Sequence, residues 1–172
     1  MVDARKPRVG ISSCLLGEKV RYDGRDKRHA LLLETLGPAV EWVPVCPELE
    51  LGLGVPREPI RLVGRVDAPR LLGERSGADH TDAMRRWAER RLEELDARGI
   101  DGWVTKARSP SCGLRGVPVH GGDGEPREAG VGAFVRALRE RLPGLPIADE
   151  EQLEDPGFRA RFLEACRARG TA

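Results

Sequence analysis

Apolar positions along the chain fall into short runs, and each run ends in residues that cannot extend a strand. Residues 7–13, residues 41–46 and residues 101–106 have the compact apolar character of buried strands, and each leads into a loop that carries a cysteine. Between them the period changes. Residues 29–36 read as a helix stopped by Gly37-Pro38, and residues 79–98 form the clearest helix, with Ala83, Trp87, Leu92 and Leu95 near helical spacing. Asp79 and Asp82 suit the start of that helix, and Gly99 suits its end. Residues 60–66 and 69–72 flank a turn and predict a hairpin, read as an insertion. Residues 113–132 look like a glycine-rich loop, followed by a helix over 131–142, a short strand at 145–148 and a last helix over 158–169. Strands alternating with helices predict an α/β fold: a Rossmann-like open parallel sheet with helices on both faces and a small hairpin insertion.

With 172 residues, the chain is expected to form one domain over 1–172, long enough to bury a core without staples. Its 29 lysines and arginines nearly balance 28 aspartates and glutamates, so bulk charge argues neither for nor against nucleic acid. No run of about 18 apolar residues occurs, which leads to the expectation of a soluble, cytoplasmic protein without membrane contact. Four cysteines are too sparse for a disulfide scaffold, and in a reducing compartment they favour metal binding or catalysis.

Cys14, Cys46 and Cys112 each abut glycine, proline or serine at the end of a predicted strand. The carboxyl ends of parallel strands lie along one edge, where residues distant in sequence converge around a ligand. Cys166 differs: it lies beside Phe162 and Leu163 on the last helix and reads as core. Structural zinc prefers four closed ligands, and His29, His80 and His120 lie in no ligand spacing, so they read as polar surface residues. An iron-sulfur cubane held by three thiolates would leave one iron without a protein ligand, a position open to substrate. Buried thiols, zinc, a nucleophilic cysteine and a cluster all stay open at this point. Glu48, two residues past Cys46, would share the pocket, where a desolvated carboxylate can exchange protons. Ser109 and Ser111 can cap their loop. Lys19, Arg21, Arg57, Lys106, Arg108 and Arg115 surround these loops and could bind a carbonyl or phosphate, and the glycines at 121–124 and 130–132 could cradle an anion. Trp42, Trp103 and Tyr22 lie near the expected pocket edge.

Five ordered motifs, Ser12-Ser-Cys14-Leu-Leu-Gly17, Val20-Arg-Tyr-Asp-Gly24, Pro44-Val-Cys46-Pro-Glu48, Gly52-Leu-Gly-Val-Pro-Arg57 and Lys106-Ala-Arg-Ser-Pro-Ser-Cys-Gly113, resemble the family once catalogued as domain of unknown function 523. That family includes the 2-thiouracil desulfidases, and the similarity runs from Lys6 to about Ala148. The resemblance implies a 4Fe-4S cluster held by Cys14, Cys46 and Cys112, with Glu48 and Ser109 in catalytic roles. It implies a hydrolase that replaces the sulfur of a thiolated nucleobase, of 2-thiouracil or 4-thiouridine type, by oxygen and releases sulfide.

A small thiolated base or nucleoside is the expected partner. Thiolated tRNA is disfavoured, because a tRNA enzyme usually presents a more basic surface. The competing readings are a cluster-based sulfur carrier in thiolation and a metal-binding sensor or store without turnover.

Overall fold

A computed structural model describes residues 5–171. Strands β1 (Arg8–Ser12), β2 (Glu41–Val45), β5 (Gly102–Thr105) and β8 (Ile147–Asp149) form a sheet in the order β2-β1-β5-β8, every neighbouring pair parallel. The chain steps from β1 to one side for β2 and to the other for β5, so the order reverses beside β1. Such a reversal opens a crevice at the carboxyl edge of a parallel sheet.

Helices cover both faces, which explains why β1 and β5 read as nearly continuous apolar runs. On one face Val9, Ile11, Val104 and Ala148 pack with Leu32 of α1 (Ala30–Thr35) and with Phe162 and Cys166 of α5 (Pro156–Gly170). On the other, Val43, Val45 and Trp103 pack with α3 (Thr81–Ala97) and α4 (Ala133–Arg141). Phe134 of α4 joins the layers, its ring 5.3 Å from both Trp87 and Trp103. Close approach is built into β1 and β5. A Cβ at Gly10 would fall 2.1 Å from the Trp103 ring, and one at Gly102 would fall 2.3 Å from the Cys166 sulfur.

The hairpin expected at 60–72 is present as β3 (Ile60–Arg65) and β4 (Ala68–Gly73), but it is half of a second sheet. Residues 113–132, expected to be a loop, contain β6 (Val117–His120), parallel to β3, and β7 (Pro126–Gly130), antiparallel to β6. The sheet order is β4-β3-β6-β7. Glycines and prolines shorten both runs below the length at which alternation stands out, although buried Val117 and Val119 do alternate with exposed Pro118 and half-buried His120. Leu62, Leu71, Val117 and Val119 belong to the α3 and α4 core, so those helices are shared between the sheets.

The amino edge of the parallel sheet is closed. Asp101, 2% exposed, accepts from the Arg5 guanidinium at 2.7 Å and from the Arg8 backbone N–H at 2.8 Å. No described helix is long and apolar enough to cross a membrane.

Candidate active site

All four strands of the parallel sheet deliver chemistry to the same edge. After β1 the chain tightens into a 3-10 turn, Ser13–Leu16, closed by Gly17 at φ 98°, and the Cys14 carbonyl accepts from the N–H groups of Gly17 and Lys27. Immediately after β2, Cys46 stands at the N-cap of α2 (Pro47–Glu50), so Pro47 occupies the first helical position, where its missing N–H costs nothing. After β5, residues 106–113 fold into the loop that carries Cys112. Beyond β8 follows Glu150, 5% exposed.

The Cys112 loop is held from three directions. The Ser109 hydroxyl accepts from the backbone N–H of Cys112 at 3.1 Å and of Ser111 at 3.3 Å. Glu150 accepts from the Ala107 N–H at 2.7 Å and from the Lys106 ammonium, whose backbone N–H donates to Ser12 at 3.0 Å. The opening of α4 closes the third side: Ala133 donates to the Pro110 carbonyl and Phe134 to the Ser111 carbonyl, both at 2.9 Å. Gly132 permits this contact, since a Cβ there would lie 2.6 Å from the Ser111 carbonyl carbon. These N–H groups are spent on the loop, so the anion cradle expected of the glycines before α4 does not form there.

Cys14, Cys46, Cys112, Glu48 and Ser109 all line one cavity of about 530 Å³. That volume is typical of pockets that take small ligands. The thiols are buried or half-buried, and none is in a disulfide. Burial pushes the Cys14 thiol up to about 11, helped by neighbouring Cys46, while Lys106 opposes the shift. Burial likewise raises Cys112, with Cys46 and Cys14 adding to the rise and a hydrogen bond with Ser12 opposing it. Burial raises Cys46 too, against the nearby Leu49 N–H and Arg57. The three sulfurs share one environment, since all of them line the same cavity. Among the described residues, no three His, Cys, Asp or Glu side chains close around a point as ligands to a single ion. The thiols are walls of a shared space.

Glu48 lines the cavity and is largely shielded from solvent, and its carboxylate is fixed by two partners. One oxygen accepts from Arg57 Nε at 2.8 Å and the other from the Ser111 hydroxyl at 2.9 Å, with Arg57 and Glu48 only 6% and 14% exposed. Arg57 also donates to the carbonyls of Gly54 at 2.7 Å and Val20 at 2.8 Å. One guanidinium therefore aims the carboxylate and ties together the loops around it. The Ser111 and Arg57 contacts went unread in the sequence. Ser111 was visible only as a loop cap and Arg57 only as one cation among six.

Of those cations, Arg21, Arg57, Lys106 and Arg108 line the cavity, whereas Lys19 and Arg115 do not; Arg115 instead pairs with Asp149 at 3.0 Å. Arg108 sits at φ 60°, a left-handed backbone at the rim. Trp103 is wholly buried and Trp42 packs on the core behind, so Tyr22 brings the aromatic ring to the cavity wall. His29 caps α1 and pairs with Glu154, and His120 faces the Leu62 carbonyl. Cys166 is fully buried in the core, as expected.

Comparison with known proteins adds three findings. A family model described as 2-thiouracil desulfurase matches residues 9–150, a span that includes all three cavity cysteines. The uncharacterized protein YbbK of Bacillus subtilis (strain 168) is 30% identical over 155 residues, covering 84% of this chain and 97% of that protein. The solved structure of the [4Fe-4S]-dependent thiouracil desulfidase TudS, of the DUF523 type, is similar with a TM-score of 0.71 and 34% identity, over 91% of this chain and 97% of the other.

Proposed function

The chain belongs to the 2-thiouracil desulfurase family, and on that premise we propose that it hydrolyses the carbon-sulfur bond of a small thiolated uracil-type base at a 4Fe-4S cluster held by Cys14, Cys46 and Cys112. The reading takes residues 1–172 as one desulfidase-like α/β domain working in the cytoplasm on a free base or nucleoside rather than on tRNA. The observation that carries it is the convergence of three thiols and a carboxylate on one cavity.

The residues suit such a cluster. Cys14 and Cys112 are buried and Cys46 half-buried along one cavity, so as thiolates they would repel, and a cationic group shared among them would remove that conflict. A single zinc at about 2.3 Å from each sulfur would need a tighter cage than these walls provide. When bound, the cluster supplies a thiophilic Lewis acid that draws electron density from the thiocarbonyl carbon.

The chain's own groups supply the rest. Glu48, fixed by Arg57 and Ser111, accepts a proton from water as the water oxygen bonds to the thiocarbonyl carbon. The Ser109 hydroxyl accepts two backbone N–H bonds and so is held in place, leaving its own proton to donate to the substrate ring. As the carbon-sulfur bond breaks, the added oxygen loses its remaining proton to become the ring carbonyl, and sulfur departs with the bonding pair and both water protons as hydrogen sulfide, Glu48 returning the one it took. Oxidation states are unchanged.

The test is anaerobic reconstitution with iron and sulfide, followed by incubation with 2-thiouracil. One uracil and one sulfide per thiocarbonyl lost is the expected result. A chain that carries the cluster but leaves 2-thiouracil and 4-thiouridine intact would sink the proposal.

A further inference from the structure

The cavity has mixed walls, with Val20, Val45 and Ile60 beside the polar and sulfur-bearing groups, and among the described residues Tyr22 is the aromatic side chain that lines it. Tyr22 is 40% exposed, so part of its surface is open to a partner. Its backbone is held in place. The Tyr22 carbonyl accepts from the Arg57 N–H at 3.0 Å, Gly24 donates back to the Arg21 carbonyl at 2.9 Å, and Arg21 donates to the Arg25 carbonyl at 3.2 Å. The turn is thus stapled to the same arginine that aims Glu48. The Arg21 guanidinium lies 5.6 Å from the ring centroid and occupies one face, while an ion pair with Asp23 at 3.7 Å steadies it.

From this geometry, and resting on the function proposed above, we infer that Tyr22 is a specificity-determining residue, a rigid platform on which the planar ring of the substrate stacks beside the thiols. A heteroaromatic base offers a π-face of matching size, and stacking covers apolar ring that otherwise stays in water. A fixed platform also sets the plane of the base, and with it the direction in which the thiocarbonyl sulfur points. An acyclic thiocarbonyl compound gains nothing from it.

The experiment uses the reconstituted holoprotein and three variants, Tyr22→Ala, Tyr22→Leu and Tyr22→Phe, each checked for folding by its melting temperature. Two quantities are measured: KM and kcat for 2-thiouracil, and the affinity for uracil, the product base without sulfur, by calorimetry. Loss of stacking is expected to raise KM by roughly 5- to 100-fold in the Ala and Leu variants, with uracil affinity falling in parallel and kcat falling less. Tyr22→Phe, which keeps the ring, is expected to recover most of the loss. Equal behaviour of the Leu and Phe variants would overturn the platform in favour of mere apolar bulk, as would a KM and uracil affinity insensitive to Tyr22→Ala. Turnover with a Tyr22-independent KM defeats the platform alone. Uracil binding that depends on Tyr22 but comes without any desulfuration defeats the functional reading alone.

Discussion

Strand β5 joins two buried cysteines in opposite circumstances. At its amino end Gly102 receives Cys166 from α5, and at its carboxyl end the chain runs into the loop of Cys112. Both thiols are buried, and burial raises both. The difference is company. Cys166 lies among apolar side chains with Asp101 as its charged neighbour, whereas Cys112 has two other thiols, Ser12 and Glu48 acting on it. The carboxylates repeat the contrast: Asp101 sits at the closed amino edge bonded to Arg5 and the Arg8 backbone, while Glu48 is held just as firmly but lines a cavity. Burial marks both edges alike, and what separates Cys112 and Glu48 from Cys166 and Asp101 is access to a shared cavity.

The sharpest way to break this contrast is to delete each sulfur. Cys112→Ala is expected to abolish both the visible absorbance of the reconstituted protein and sulfide release. Cys166→Ala should keep both, at a stability cost of about 1 kcal/mol in chemical denaturation. Next come the carboxylates. Glu48→Gln is expected to lower turnover by roughly 10²- to 10⁴-fold with the cluster spectrum retained. Asp101→Asn should leave turnover per folded molecule unaltered and cost about 1–3 kcal/mol, read as a lower melting temperature. A comparable effect should come from Gly102→Ala, whose new methyl collides with the Cys166 sulfur and destabilises by roughly 1–3 kcal/mol. Combining it with Cys166→Ala should return part of that loss, and additive costs in the double variant would show that the contact is not the cause. The mildest effect concerns pH. Burial pushes the Cys166 thiol up to about 12 from its ordinary value near 9, so above pH 9 the unfolded chain releases a proton that the folded chain keeps. Stability must therefore fall as pH rises from 9 toward 12. Urea melts across that window should slope less steeply for Cys166→Ala than for the parent, and identical slopes would contradict the assignment.

Much of the edge was legible in the sequence because strands buried on both faces announce themselves as apolar runs, and a parallel order forces their ends together. That logic places Cys14, Cys46 and Cys112 at neighbouring strand ends, and it separates Cys166, which sits among helical apolar positions. What stayed hidden depends on distance in space. Nothing in the spacing of Arg57 or Ser111 ties either to Glu48, since the bonds depend on how three loops fold over one another. The second sheet was hidden for another reason. Pro118, Pro126 and the glycines between them break β6 and β7 into runs too short to stand out from a loop, and it is the pairing of β6 with β3 and of β7 with β6 that makes them strands.

Cys14, Cys46 and Cys112 issue from three separate crossovers of one parallel sheet, which would constrain the biogenesis of a cluster held by them as proposed. No two of them are near neighbours along the polypeptide, so a nascent chain offers iron no local chelate until the segment bearing Cys112 has been synthesised and β5 has docked beside β1. For the ligand set proposed above, the scaffold would therefore have to fold before its inorganic cargo could be held by all three sulfurs.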